Sequence, residues 1–342
     1  MIRSAVMKIA WLGFIALSLT MPPAVSVAKT LQIKIATLAP EGSSWIEAFH
    51  AIDAEVRTKT DKQIGFKFYP GGVMGDEKDM LRKVHIGQIH GAALTSAGLS
   101  AIFSEMDVFQ IPFLFESHHE VDYVIEEMDA FFRKGLEENG YILLGWSEGG
   151  FVRLMSTTPV ATLDDLRKVK VWTWADSPMT KVIFDQANIS AIPLSVPDVL
   201  VGLQTGLVDV VYAPPSGAIA LQWFTKTKYM TDVNLIYLIG GLVMQKKVFN
   251  KISPGHQKIL LETCRRRMNE LKTTVRNENQ EAIQVMVKHG VKIITPTPAQ
   301  VADFKKVSVQ AMQRLEGKKS FSKKIRDEVI SKLETYRKNN PQ

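Results

Sequence analysis

The stretch 195-SVPDVLVGLQTGLVDVVYAPP-215 predicts one helix followed directly by one strand, and this pair decides the fold class. Pro197 suits the first turn of a helix, where a missing N–H leaves no hydrogen bond unmade. Gly206 is a typical residue at a helix end, because glycine adopts the left-handed conformation without a steric penalty. The apolar run LVDVVYA that follows is typical of a buried strand. A helix leading into a buried strand indicates the α/β class.

The same alternation extends outward from this stretch in both directions. Strands and helices that follow one another in this way predict a mainly parallel sheet with helices on both faces, and a chain of 342 residues is long enough for two such halves. The helices before it are expected to start at Ser43, Asp76, Ser117 and Thr162, which can cap them. The quoted segments are LQIKIATLAP (31–40), IGFKFYPGG (64–72), EKDMLRKVHIG (77–87), QIHGAALTSAG (88–98) and ATLDDLRKVKVWTW (161–174).

A single long helix is predicted from Ser253 and Pro254 to Gly290. The segment has apolar residues at helical spacing and no internal proline or glycine past its first turn. At 1.5 Å per residue it would be roughly 50 Å long, more than the width of one small domain. We therefore expect this helix to run along both halves and tie them together.

The N-terminus predicts export. Arg3 and Lys8 precede the apolar run IAWLGFIALSL, and Ser26 and Ala28 occupy the −3 and −1 positions of a signal-peptidase site. We expect residues 1–28 to be a signal peptide and the mature chain to be periplasmic. The apolar run is short of the about 20 residues that a membrane span needs, so we do not expect the mature chain to span a membrane.

One motif suggests an enzyme. GWSEG, residues 145–149, matches the G-x-S-x-G nucleophile elbow of serine hydrolases and follows the strand-like YILL. The elbow also needs a helix directly after the serine, whereas GFVRLMSTTPV is typical of strand and turn. We predict that the protein is not an enzyme. A secreted serine hydrolase that uses Ser147 stays open as the alternative.

Other site types find weak support. SHHE (117–120) places its two histidines next to each other, without the i, i+4 spacing of a helical metal pair, so a helix start explains it better than a metal site. Cys264 is the only cysteine, which excludes a disulfide within the chain and suits a small buried side chain. We find neither a G-x-G-x-x-G fingerprint nor a P-loop and expect no cofactor. The net charge of +7 includes basic clusters such as CRRRMNELK on predicted helix faces, so no nucleic-acid partner is expected.

Four blocks, in order, resemble the solute-binding proteins of tripartite ATP-independent periplasmic (TRAP) transporters, of the DctP type. The blocks are FYPGGVMGDEKDMLRKVHIGQI (68–89), QIPFLFES (110–117), DDLRKVKV (164–171) and VPDVLVGLQTGLVDVVYAPP (196–215). The resemblance implies a periplasmic-binding-protein-like fold with two lobes, a central cleft that closes on a small organic ligand, and delivery to a small and a large membrane permease subunit.

Lobe boundaries follow from this resemblance. We expect lobe I to contain residues 29–150 and about 240–280, and lobe II to contain residues 151–239 and about 281–342 with the C-terminal helices. Glycine-rich crossings between the lobes are expected near Gly149–Val152 and Ile239–Leu242, where a hinge could absorb lobe closure.

The resemblance also implies which residues contact the ligand, and this chain departs from the family pattern there. The family arginine that usually binds the ligand carboxylate falls on Trp172, the usual glutamate and asparagine fall on Tyr212 and Ala213, and the usual aromatic falls on Val196. Arg153 matches a second family arginine and could orient a carboxylate, or form a structural salt bridge with Asp176 or Glu148. The candidate ligand-binding residues are Trp45, Ser96, Phe151, Arg153, Trp172, Trp174, Asp176, Val196, Tyr212 and Ala213.

These replacements change a carboxylate-binding cleft into an aromatic and apolar one. We therefore expect a moderately hydrophobic small molecule as ligand, with or without a carboxylate. Trp172 and Trp174 lie two apart on a predicted strand and share a face, so they line either the cleft or the core. A periplasmic ligand sensor or a lipid-carrier module would carry the same sequence signature, and both stay open as alternatives to a transport receptor.

Overall fold

A five-stranded and a six-stranded sheet form the centres of two α/β lobes in the computed structural model, which describes residues 30–175, 177–315 and 320–341. The predicted two-lobed α/β class is confirmed. The predicted signal peptide, residues 1–28, and the candidate Asp176 lie outside the described residues.

The strands and helices follow the predicted alternation. Strands β1 to β11 are Leu31–Thr37, Ile64–Tyr69, Gly91–Thr95, Tyr141–Phe151, Arg153–Ser156, Val171–Trp174, Ala191–Leu194, Val210–Ala213, Tyr229–Thr231, Tyr237–Gln245 and Lys292–Ile294. Helices α1 to α12 are Ser44–Lys59, Glu77–His85, Ser96–Ser100, His118–Glu138, Leu163–Arg167, Pro178–Ala187, Val199–Gln204, Pro215–Ala220, Lys246–Phe249, Pro254–Lys288, Pro298–Leu315 and Lys323–Asn339. Three 3₁₀ helices cover Ser104–Gln110, Val196–Asp198 and Trp223–Thr225.

Each sheet is mixed rather than mainly parallel. The sheet of lobe I has the order β2-β1-β3-β10-β4, and the sheet of lobe II has the order β11-β9-β5-β8-β6-β7. The pairs joined through helices, such as β1 with β3 and β6 with β7, are parallel. β10 is antiparallel to β3 and β4, and β5 is antiparallel to β8 and β9. The antiparallel pairs arise because β4 leads into β5, and β9 into β10, from one lobe to the other.

Two of the segments that carry the chain between the lobes lie next to each other. Val152 alone separates β4 from β5, and residues 232–236 lead back from β9 to β10. The Val152 N–H donates to the Ile236 carbonyl at 2.9 Å, and the Leu235 N–H donates to the Val152 carbonyl at 3.0 Å. The predicted crossing near Gly149–Val152 therefore contains the observed one.

The second predicted crossing, at Ile239–Leu242, is wrong. These residues lie inside β10, in the sheet of lobe I. A Cβ on Gly240 would lie 2.5 Å from the Leu94 carbonyl oxygen, and a Cβ on Gly241 would lie 2.6 Å from the Leu143 side chain. The two glycines permit close packing within a sheet, which sequence inspection cannot distinguish from a hinge.

Helix α10 ties the lobes together as predicted. Its N-cap Ser253 accepts a hydrogen bond from the His256 N–H, and the helix continues for 35 residues. Leu260 and Val275 are buried in the core of lobe I, whereas Met286 is buried in the core of lobe II. Because one continuous helix packs on both cores, it limits how far the two lobes can move relative to each other.

The C-terminal helices divide between the lobes. α11 packs on α6 of lobe II, and α12 packs on α4 of lobe I. The lobe boundaries remain a proposal, which we amend by placing residues 323–339 with lobe I. Among the described residues, no helix combines the length and the apolar character that crossing a bilayer requires.

Candidate functional site

A cavity of about 190 Å³ lies between the lobes, next to the crossing segments. We call it the interlobe cavity. Lobe I contributes the end of β1 with the loop after it, the β3–α3 junction and part of β4; lobe II contributes β6, β8, α8 and neighbouring residues. The family cleft implied by the sequence therefore exists as a partly open space between two lobes.

The wall of the interlobe cavity is rich in aromatic residues. Four of the six tryptophans of the chain line it, together with Tyr212. The Trp172 ring centroid lies 4.7 Å from that of Tyr212, 5.3 Å from that of Trp223 and 5.9 Å from that of Trp174. Trp45 faces them from lobe I, where its indole N–H donates to the Glu148 carbonyl at 3.3 Å.

Trp172 is the residue that the family resemblance predicts at the position of the usual ligand-binding arginine. Its side chain is 1% exposed, and its indole N–H donates to the Leu194 carbonyl at 3.1 Å. The single donor of this side chain is therefore used within lobe II. Trp172 offers an occupant of the cavity an apolar aromatic surface and no charge-assisted hydrogen bond.

Asp76 joins the lobes at the edge of the interlobe cavity. This residue caps α2 of lobe I, where its Oδ1 accepts from the Glu77 N–H at 2.7 Å. Its carboxylate also accepts from the Trp174 indole at 3.0 Å and from the Val196 N–H at 3.2 Å, both in lobe II. Trp174 therefore contributes to lobe closure as well as to the cavity wall.

Glu77 is the buried acid of the interlobe cavity. Its side chain is 4% exposed, and it accepts from the Thr95 N–H at 2.6 Å and the Thr95 hydroxyl at 2.9 Å. Burial raises the pKa of Glu77 to about 7, because removal from water disfavours the carboxylate more than these hydrogen bonds favour it. Near neutral pH, a substantial fraction of Glu77 is uncharged.

Cations are missing from the same wall. Among the described residues that line the interlobe cavity, none is a lysine or an arginine. The other acidic lining residue, Glu148, is paired with Arg276 at 2.7 Å, so both charges are compensated behind the wall. A ligand carboxylate placed inside would lose its hydration without gaining a cationic partner, which is unfavourable.

Arg153 lies outside this wall. Its guanidinium pairs with Asp232 at 2.8 Å, in the segment that returns to lobe I. The predicted partner Glu148 is wrong, because Arg276 binds it instead. The other predicted partner, Asp176, lies outside the described residues. Long-range pairing of this kind depends on how β5 meets the crossing segment, which the sequence does not display.

Phe151 also lies away from the wall. Its ring packs edge-on against Tyr237, with centroids 4.8 Å apart, and lies 5.4 Å from the imidazole of His118. The His118 Nδ1 lies 2.8 Å from the Tyr237 hydroxyl, and burial lowers the pKa of His118 to about 4. This histidine is therefore a neutral member of an aromatic cluster in lobe I. In the described part of the chain, no group of three or more residues could hold a metal ion.

The hydrolase alternative lacks its structural context. Ser147 lines the interlobe cavity but lies within β4, opposite Gly240 of β10. The strand continues to Phe151 and is followed by β5, with no helix after the serine. A nucleophile elbow requires a sharp turn from strand into helix, so GWSEG is a sequence coincidence in a continuous strand.

The structure brings most of the sequence candidates to one place. Ligand contact by any of them remains a prediction, and the residues missed by the sequence were Asp76, Glu77 and Trp223. The sequence marks Asp76 and Glu77 only as a helix start, and Trp223 begins a short 3₁₀ helix that no sequence pattern predicts. The candidates on the interlobe cavity wall are Trp45, Ser96, Trp172, Trp174, Val196, Tyr212 and Ala213.

Comparisons with known proteins agree on the type of molecule. A family model described as DctP, bacterial extracellular solute-binding protein, family 7, matches residues 35–319. The 2,3-diketo-L-gulonate-binding periplasmic protein of Escherichia coli (strain K12) is 25% identical over 70% of this chain and 74% of its own length. The C4-dicarboxylate-binding periplasmic protein DctP of Rhodobacter capsulatus is 23% identical over 68% of this chain and 70% of its own.

A solved structure shares the fold. The sugar-acid-binding protein of Advenella mimigardefordensis strain DPN7T, crystallised with galactonate, aligns with a TM-score of 0.84 over 90% of this chain and 99% of its own. The identity of the two sequences is 19%.

Proposed function

The chain belongs to the DctP family of bacterial extracellular solute-binding proteins, and on that premise we propose that it captures a largely apolar organic molecule for a TRAP transporter. The exported receptor would close its lobes on the ligand in the periplasm and deliver it to a small and a large membrane permease subunit. The family assignment rests on the sequence match; the ligand class is our inference from the interlobe cavity.

One observation carries the ligand class: an aromatic wall in which none of the described lining residues is a lysine or an arginine. Relatives are named for acids such as 2,3-diketo-L-gulonate and C4-dicarboxylates. In this chain, Trp172 stands where the family arginine is expected, and Arg153 is neutralised by Asp232. Glu77 would repel an anionic ligand in its ionised form, which prevails above its pKa of about 7.

Contact with the apolar wall can supply binding affinity in place of a salt bridge between an arginine and a ligand carboxylate. Burial of apolar surface contributes about 25 cal/mol per Å², so a ligand that buries roughly 200 Å² would gain about 5 kcal/mol before the costs of binding. Contact of the ligand with the adjacent rings of Trp172 and Tyr212 would add to this value. The polar groups that could fix its orientation include Glu77 and Ser96 on the opposite lobe.

Calorimetry with two probes tests the proposal. We expect p-cresol to bind and galactonate, the ligand of the Advenella mimigardefordensis protein, not to bind. Trp172→Ala should weaken p-cresol binding at least tenfold, whereas Arg153→Ala should leave it within about twofold. Galactonate binding that depends on Arg153 would refute the apolar ligand class and leave the family assignment intact.

Native mass spectrometry of the protein purified from a periplasm provides a second test. Denaturation should release a molecule that is mainly aromatic or aliphatic. Release of a small dicarboxylate or a sugar acid would contradict the proposal.

A further inference from the structure

A second, nearly apolar cavity lies beside the interlobe cavity, between lobe II and the segment 110–113 of lobe I. It has a volume of about 120 Å³, and we call it the side cavity. Its wall is formed by β5, α5, α6, α11 and the segment around Phe113. The apolar residues that face it include Leu154, Leu166, Ile183 and Phe304.

The two cavities share part of their walls. Five residues line both of them: Gln110, Val152, Thr180, Tyr212 and Ile236. Spaces that share these residues lie next to each other, so rotation of a shared side chain such as Tyr212 would open a passage between them.

The Tyr212 ring forms the centre of this partition. On one side its centroid lies 4.7 Å from that of Trp172, which lines the interlobe cavity. On the other side it lies 6.3 Å from that of Phe184, which lines the side cavity. A ligand that follows this row of rings would pass directly from one cavity into the other.

The Tyr212 hydroxyl is poorly satisfied in the partition. It is buried near Thr173 and the backbone of Trp174 but makes no hydrogen bond of good geometry. A buried polar group without a good partner destabilises the conformation that holds it. Movement of Tyr212 is therefore less costly than movement of a fully bonded side chain, and its hydroxyl can bond to a passing ligand.

The remaining polar groups of the side cavity are already bonded. Gln110 donates to Asp107 at 2.6 Å, and the Ser308 hydroxyl donates to the Pro112 carbonyl at 3.2 Å. Water needs two to four polar partners to occupy a cavity, whereas apolar cavities of this size stay dry and bind apolar molecules. An empty apolar cavity also weakens the fold that contains it. The chemistry of this wall therefore suits a hydrocarbon.

We propose that the ligand is elongated: its head occupies the interlobe cavity, and an apolar tail passes Tyr212 into the side cavity. This inference rests on the proposed function, because it takes the interlobe cavity as the binding site. A volume of about 120 Å³ holds roughly four methylene groups, if each takes about the 30 Å³ of one liquid water. The ligand class is thus an aromatic or alicyclic head with a short alkyl or isoprenoid-like tail.

A series of p-alkylphenols from p-cresol to p-octylphenol tests the inference by calorimetry. For the wild type, each of the first four or so added methylenes should tighten binding by about fourfold, the value expected for burying one CH₂, and longer tails should gain no more. The affinity for p-cresol reports on the interlobe cavity, and the gain per methylene reports on the side cavity.

Two substitutions that fill the side cavity should remove this gain. Ala187→Phe acts from α6 and Val307→Phe acts from α11, so one remains informative where the other fails to fold. Val309→Phe is the matched control, because Val309 lies on the same helix as Val307 and is 59% exposed. The control should keep the wild-type gain per methylene.

The outcomes separate the two proposals. Measurable p-cresol binding with no gain per methylene would overturn the elongated ligand and leave the apolar interlobe site standing. An equal gain in the wild type and both filled variants would also overturn it, since the tail would then lie elsewhere. Galactonate binding without p-cresol binding would overturn the proposed ligand class itself.

Discussion

Replacement of the buried acid Glu77 by glutamine should change how the stability of this protein depends on pH. Glutamine keeps the size and one acceptor of the side chain but cannot ionise. It can accept from the Thr95 N–H and donate to the Thr95 hydroxyl, so the local bonds of Glu77 have replacements. The difference in stability between Glu77→Gln and the wild type therefore reports on the charge of Glu77 alone.

The magnitude follows from the pKa of Glu77, which rises from 4.5 to about 7 through burial. Because the folded state holds this proton more tightly than the unfolded state, the free energy of unfolding falls as pH rises from about 4.5 to 7. The difference of 2.5 units corresponds to about 3 kcal/mol at about 1.4 kcal/mol per unit. The stability contributed by this group is complete below pH 4.5 and is lost once the pH passes 7.

Urea unfolding between pH 5 and pH 8 measures this effect. Glu77→Gln and the wild type should have similar stability near pH 5, and the variant should be more stable by up to about 3 kcal/mol at pH 8. Glu47→Gln is the control, because Glu47 also lies in the first turn of a helix but is exposed. A constant difference between Glu77→Gln and the wild type across this range would refute a raised pKa at Glu77.

Three further predictions concern lobe closure and the crossing. Asp76→Ala removes the acceptor for the Trp174 indole and should speed the release of p-cresol by about tenfold or more, measured by stopped-flow fluorescence. The reason is that hydrogen bonds to a charged group contribute about 1.5–3 kcal/mol. An unchanged release rate would show that these bonds do not hold the lobes closed. Arg276→Met leaves the buried Glu148 unpaired and should lower the free energy of unfolding by about 3–5 kcal/mol in urea, and a loss under 1 kcal/mol would contradict this. Gly150→Ala puts a side chain at φ +97° and should destabilise the fold by about 1–3 kcal/mol in thermal unfolding, with an unchanged midpoint counting against backbone strain there.

Local patterns predicted most of the secondary structure. The caps at Asp76, Ser117, Thr162 and Ser253 each start a helix where expected, and the long helix ends within two residues of its predicted limit at Gly290. These signals act over three or four residues, so they are legible in the sequence. The pair Gly240–Gly241 does not form the predicted crossing between the lobes, because close packing within a sheet favours glycine as much as a hinge does.

The sequence predicted residues of the candidate site only where they lie in a family motif. The family blocks located Trp172, Tyr212, Ala213 and Val196, and the structure places these four on one wall. They could not show that Phe151 packs into an aromatic cluster of lobe I instead. A motif fixes the position of a residue along its element, whereas the direction of its side chain depends on the elements packed around it.

The sequence by itself determined the α/β class, the long tying helix and the family, and it predicts that Trp172 replaces the usual ligand arginine. Tertiary structure alone decided that Asp232 forms a salt bridge with Arg153 and that Glu77 is buried enough to shift its pKa. It also decided that Asp76 accepts hydrogen bonds from Trp174 and Val196, which lie 98 and 120 positions away in the sequence. It also decided that Tyr212 divides two cavities. The physical reason is range: helices and strands follow from contacts a few residues apart, whereas burial, charge pairing and cavities depend on segments that meet only after both lobes have folded and closed.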